Sequence, residues 1–141
     1  MSPENSQILF DRYAELFTNG HNMPISLFGI ECRDGWFKII DDCLGRLKPI
    51  IIEKNREYPV FPIKVEQIKE KFGQLRIYLT GYIDPCDEAI RDAEEKAAQT
   101  CELCGAKGCL RLNGFWYTTL CDECQGKRSS VTVTPNGKSH G

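Results

Sequence analysis

The chain has 141 residues, 27% of them charged and 41% apolar, with a net charge of -2. That length holds one ordinary domain, or a domain of about a hundred residues with a small metal-dependent appendage, and the composition excludes a largely disordered chain. The charge balance excludes a global basic field of the kind that draws a protein onto nucleic acid.

The opening residues Met1-Ser2-Pro3-Glu4-Asn5-Ser6 lack the basic and apolar regions of a signal peptide, and no apolar run approaches membrane-spanning length. The expected setting is cytoplasmic, without membrane contact. Leu9, Tyr13, Leu16 and Phe17 recur at helical spacing and predict a helix from about Ser6 to Phe17, stopped by Thr18-Asn19-Gly20. A loop with Pro24 and Gly29 follows. Asp34 is the expected cap of a second helix, with Trp36, Ile40, Cys43, Leu44, Leu47 and Ile51 along one side as the core stripe. Pro49 lies inside that helix and crowds the carbonyl of Gly45, normally at a cost of ~3 kcal/mol, which predicts a kink or a break.

The runs Ile63 to Lys71 and Gln74 to Thr80 read as an antiparallel hairpin turning near Phe72-Gly73. Leu75, Ile77 and Leu79 face one way. Ile63 and Val65 are out of phase with Ile68, which predicts a bulge near Glu66-Gln67. Asp84 caps the next expected helix, with Pro85 at its first position and a stripe of Ala89, Ile90, Ala93 and Ala97, running to about Gln99.

That helix leads into Cys101-Glu102-Leu103-Cys104, and after sixteen intervening residues comes Cys121-Asp122-Glu123-Cys124. Two CxxC pairs at this spacing are the pattern of one structural Zn2+, with Cys101, Cys104, Cys121 and Cys124 as ligands. Asn113-Gly114, between Cys109-Leu110-Arg111-Leu112 and Phe115-Trp116-Tyr117-Thr118-Thr119, is a strong hairpin signal that returns the second pair to the first. A thioredoxin-like dithiol needs one pair at a helix start, not two joined by a hairpin. Cys109 reads either as a substitute ligand or as a small buried residue.

The predicted fold class is therefore α+β. Helices pack on a small antiparallel hairpin sheet over residues 1–99, a zinc ribbon covers 100–128, and a polar tail over 129–141 adds a short edge strand from Val131 to Thr134.

A closed four-thiolate zinc leaves no open coordination position for catalysis. His21 and His140 are isolated, no histidine lies between the cysteine pairs as an HNH-type nuclease would require, and P-loop, GxSxG and HExxH motifs are missing. The expectation is a non-enzymatic protein. Glu31, Asp34, Asp41 and Asp42 cluster near the second helix start, where they offer a cation site, although the favoured reading is acidic residues that complement the helix dipole and face water. Contact candidates are Lys69, Lys71, Arg76 and Tyr78 on the outer face of the hairpin, and Arg111, Trp116, Lys127 and Arg128 in the ribbon, with Phe115 and Tyr117 beside them. Aromatic and basic residues together suit nucleic acid. Residues 101–141 carry five Lys or Arg against three Asp or Glu, and four thiolates on zinc add about two negative charges, so packing of the aromatics on the helical part is favoured instead.

Gly29-Ile30-Glu31-Cys32 with Asp34-Gly35-Trp36, Lys69-Glu70-Lys71-Phe72-Gly73-Gln74-Leu75-Arg76, and the two cysteine segments together resemble a family of small phage- and prophage-encoded proteins. The resemblance spans Gly29 to Cys124 and implies an accessory protein acting inside a bacterial cell. It also implies histidine as the usual last ligand, from which Cys124 departs. The last third is similar, more loosely, to RNA-polymerase-binding regulators in which a helix runs into a zinc finger. The leading expectation is a protein-interaction module on a host factor, inhibitory or anti-defence in effect. A nucleic-acid-binding regulator is the alternative, and a zinc-stabilised enzyme with a site around Glu31 and Arg76 is the third.

Overall fold

The core stripe read from the sequence forms as expected: Trp36, Ile40, Cys43, Leu44, Leu47 and Ile51 are all buried. The computed structural model describes residues 1–17 and 23–131, with side chains through residue 127. Within these the fold is α+β, with five helices, a three-stranded sheet and a two-stranded hairpin.

Helix α1 spans Pro3–Arg12, earlier than the sequence predicts, because Ser2 caps it through Oγ and Pro3 fixes the first turn. A 3-10 turn over Ala14–Leu16 then buries Leu16. The expected stop at Thr18-Asn19-Gly20 lies outside the described residues. The expected loop contains a short helix α2, Pro24–Phe28, ended by Gly29 at φ +68°. Ile30–Glu31 forms a strand, β1.

Asp34 does not cap the next helix. It opens a 3-10 turn, Asp34–Trp36, and its carboxylate accepts from Ser2 N–H and Asn5 Nδ2, tying the chain start to this corner. Helix α3 runs unbroken over Phe37–Glu57 with Pro49 inside it. Leu44 and Leu47 are buried before the proline and Ile51 after it. Each such side chain gains ~1.5–3 kcal/mol on burial, which outweighs the ~3 kcal/mol cost of the proline.

Strands β2, Val65–Lys71, and β3, Gln74–Leu79, pair antiparallel with the predicted register break between Val65 and Gln67. Ile63 falls outside β2 because the Asn55 side chain holds it: its N–H donates to Oδ1 and its C=O accepts from Nδ2. Strand β1 adds parallel to β2, with Ile30 opposite Ile68, so the sheet is mixed. Alternation in β2 and β3 signalled a two-strand unit, and nothing local marked the two-residue third strand.

Helix α4 spans Asp84–Ala97; Ile83, not Asp84, is its cap residue. Buried Ala89, Ala93 and Ala97 let it approach α3 closely, with Cys43 Sγ 3.5 Å from the Ala89 carbonyl. Strands β4, Cys109–Asn113, and β5, Trp116–Leu120, form the C-terminal hairpin, and helix α5, Asp122–Val131, follows. Val131 therefore ends a helix and does not begin an edge strand. The rest of that expected strand, residues 132–134, lies outside the described residues.

The hairpin turns one residue later than predicted. Asn113 pairs with Trp116, so the two-residue loop is Gly114-Phe115, with positive φ at Gly114 alone, a type II′ turn. A buried polar exchange explains the shift. Asn113 Nδ2 donates to Thr118 Oγ1 and Gln125 Oε1, and Gln125 Nε2 returns a bond to Asn113 Oδ1 at 2.7 Å. Had Asn113 sat in the turn, this amide pair to α5 would be lost.

The hairpin also grips the β2–β3 turn. Buried Thr119 donates from Oγ1 to the Gly73 carbonyl at 2.7 Å. Thr119→Val keeps the shape and leaves that carbonyl unpaired, so urea unfolding should show a loss of ~1–3 kcal/mol.

Candidate metal centre

Cys101 enters from α4 through Thr100, whose carbonyl accepts from Trp36 Nε1 at 2.9 Å. The first knuckle then folds on itself. Cys101 N–H bonds the Ala106 carbonyl at 2.7 Å, Gly105 N–H bonds the Cys101 carbonyl at 2.9 Å, and Gly105 takes φ +82°. The second pair straddles the junction of β5 and α5, so the first amides of α5 point back at sulfur, Cys124 N–H lying 3.4 Å from Cys121 Sγ. Glu102 N–H to the Thr119 carbonyl, at 2.9 Å, joins the two halves.

The result brings the four sulfurs within 4.8 Å of one another, with Cys104 and Cys121 at 3.6 Å. Four thiolates on a tetrahedral ion at 2.3 Å stand about 3.8 Å apart, so this quartet could hold a metal ion. Cys101 and Cys121 are buried, whereas Cys104 is exposed. Burial pushes the Cys101 thiol up, but backbone hydrogen bonds from Cys104, Cys121 and Leu103 outweigh it and bring it to about 7. Cys124, hydrogen-bonded to Cys121 and crowded by the other sulfurs, is pushed up to about 12. Without a cation the Cys101 thiolate forms readily, while the Cys104 and Cys124 thiols are pushed toward keeping their protons. Metal must displace those protons, so acidification releases it.

Cys109 is neither a member of the quartet nor buried: it starts β4 and is exposed. Burial pushes Cys32 and Cys43 up to about 12. In metal-loaded protein, iodoacetamide should therefore label Cys109 first and leave Cys32 and Cys43 untouched, as read by peptide mass spectrometry.

The contact candidates divide into two groups. Lys69 and Arg76 pair across β2 and β3, with Lys71 opposite Gln74 and Tyr78 opposite Gln67 on the same face. Lys69, Lys71 and Arg76 make no ion pair among the described residues. Glu31 lies across from Lys69 on β1 and accepts from Gln67, so Lys69 stands between Glu31 and Arg76, which are two strand spacings, about 10 Å, apart. In the ribbon, Arg111 is bound to the Leu120 carbonyl and to Asp122, and Lys127 to Glu123. The side chain of Arg128 lies outside the described residues.

The ribbon aromatics do not pack on the helical part. Phe115 is fully exposed and Trp116 is 72% exposed. The register places Leu112 opposite Tyr117, on the face that carries Leu110, and all three are exposed. Leu110 reaches Gly73, so this face continues into exposed Phe72. Leu110, Leu112 and Phe72 were missed as candidates. Period-2 alternation in Leu110-Arg111-Leu112 was the available signal, but it does not say whether a face is covered. No family model, curated protein or solved structure matches this chain.

Proposed function

We propose that the quartet holds one structural Zn2+ and that the clasped hairpin is the recognition surface of a non-enzymatic protein-interaction module. Phe72 carries this reading. It occupies a left-handed conformation at φ +54°, which bulky L residues avoid, and its ring is 67% exposed. The two-residue turn between Lys71 and Gln74 requires positive φ at both Phe72 and Gly73, where Asn or Gly would sit without strain, so an exposed aromatic kept there at ~1–3 kcal/mol supports a use for its ring. Phe72, Leu110, Leu112 and Tyr117 supply the apolar centre typical of a protein interface, on a rigid support that limits the entropy cost of binding.

A bacterial host protein as partner of a phage-encoded module rests on the resemblance of the Lys69–Arg76 and cysteine segments. The nucleic-acid alternative is less well supported, since the ribbon cations next to the aromatics are taken by Asp122 and Glu123. Phe72→Asn, which relieves the left-handed strain, should stabilise the fold by about 1 kcal/mol yet abolish capture of a partner from bacterial lysate that the wild-type chain recovers. A partner recovered equally by both proteins, or by neither, overturns the reading.

A further inference from the structure

Strand β3 is an edge strand, with β2 on one side and no strand on the other among the described residues. Gln74 closes the two-residue turn against Lys71, and hydrogen bonding alternates from that pair. Gln74, Arg76 and Tyr78 thus direct their backbone groups to β2, and Thr80 N–H, bonded to the Lys64 carbonyl, continues the phase. Leu75, Ile77 and Leu79 direct theirs outward. The Leu75 carbonyl is taken by Arg76 Nη1, which leaves Ile77 and Leu79 with the open edge.

Edges are normally blunted by proline, a bulge, charge or shortness. Strand β1, the opposite edge, is two residues long. Strand β3 has six residues, one charge and no proline, and the sheet's bulge lies in β2. Alongside its end farther from the Phe72-Gly73 turn, α4 stands off to leave a groove of about 470 Å3. Leu79, Ile83 and Ile90 give it an apolar lining, and Asp87, Arg91 and Glu94 charge its rim. Asp87 and Arg91 neutralise each other as an ion pair. Glu94 has no ion pair among the described residues, although the Arg76 charge acts on it, and burial pushes its carboxyl up. The groove therefore carries one carboxylate whose desolvation a cation would relieve.

We propose that the β3 edge and this groove receive an extended segment of a partner protein by strand addition, with a Lys or Arg of that segment on Glu94 and an apolar side chain against Ile83 and Ile90. Backbone pairing to Ile77 and Leu79 provides affinity, and the alternate side chains provide selectivity. This site is separate from the hairpin face and does not depend on it.

Selection of random linear peptides on the full metal-loaded chain tests the proposal, with backbone amide exchange followed by NMR. Enriched peptides should carry a basic residue with an apolar residue two positions away. Their binding should slow exchange at Ile77 and Leu79 by about tenfold or more while Arg76 and Tyr78, already bonded to β2, change little. Glu94→Lys should weaken the selected peptides about tenfold or more without altering exchange at Arg76 and Tyr78. Enrichment of acidic peptides, no enrichment, unchanged exchange at Ile77 and Leu79, or full affinity for Glu94→Lys each overturns it. Peptides that instead protect the β4–β5 hairpin would sink this site while leaving the hairpin reading intact.

Discussion

A strong chelator should unfold residues 101–128 and loosen the corner of the larger fold on which they sit. The hairpin has a small core of its own, in which Cys101, Leu120 and Cys121 are the buried members and Cys124 packs against them. Three of those four residues belong to the cysteine quartet. Structural zinc supplies ~10–16 kcal/mol in comparable sites, more than the whole stability of many domains. The loss should spread, because Trp36 Nε1, Gly35 N–H and Arg33 N–H all bond to Thr100 or Glu102, on either side of Cys101. Amide exchange should report complete loss of protection in β4 and β5, a partial loss at residues 33–36, and persistence of the α3–α4 core. A chain that holds no metal when isolated and keeps its hairpin amides protected in chelator would refute the metal centre.

Gly35→Ala should be the most damaging single substitution outside the quartet. A Cβ at this position would lie 2.2 Å from the Cys101 carbonyl oxygen and 2.5 Å from the Glu102 carbonyl carbon and oxygen. These are backbone atoms, locked by the Gly35 N–H bond to the Glu102 carbonyl at 2.7 Å, so no rotamer change can clear the space. The knuckle must move, which disturbs both the junction and the ligand that precedes it. The expected loss is about 4 kcal/mol or more, in the range reserved for backbone clashes and core cavities, with weaker metal retention in a competition assay. Gly126→Ala is the control. It lies in α5 with nothing within 4 Å of the added carbon, and should stabilise by ~0.5–1 kcal/mol. If Gly35→Ala behaved like this control, the close approach of α3's leading turn to the metal site would be wrong.

Much of this protein is written in local pattern. The stripe from Trp36 to Ile51 is buried as read, since its period matches a helix and its side chains have one place to go. The bulge in β2 follows from a phase error between Val65 and Ile68, and the quartet follows from the chemistry of thiolate spacing. Local pattern misleads where a distant partner decides. Pro49 predicts a kink or a break, but tertiary burial on both sides keeps α3 continuous through it. Asn113-Gly114 is a turn signal, yet the amide pair with Gln125, twelve residues on, pulls Asn113 into the strand.

The α+β class, the core helix and the four cysteines are legible in the chain alone, because periodicity and cysteine spacing are properties of neighbours along it. The close contact of Gly35 with Cys101, the parallel addition of β1, the exposure of Phe72, Leu112 and Trp116, and the open edge of β3 beside its groove emerge only from long-range packing. These depend on which distant backbone arrives within a few ångströms. A residue type can permit that approach, as glycine does at position 35, but cannot say what will fill the space.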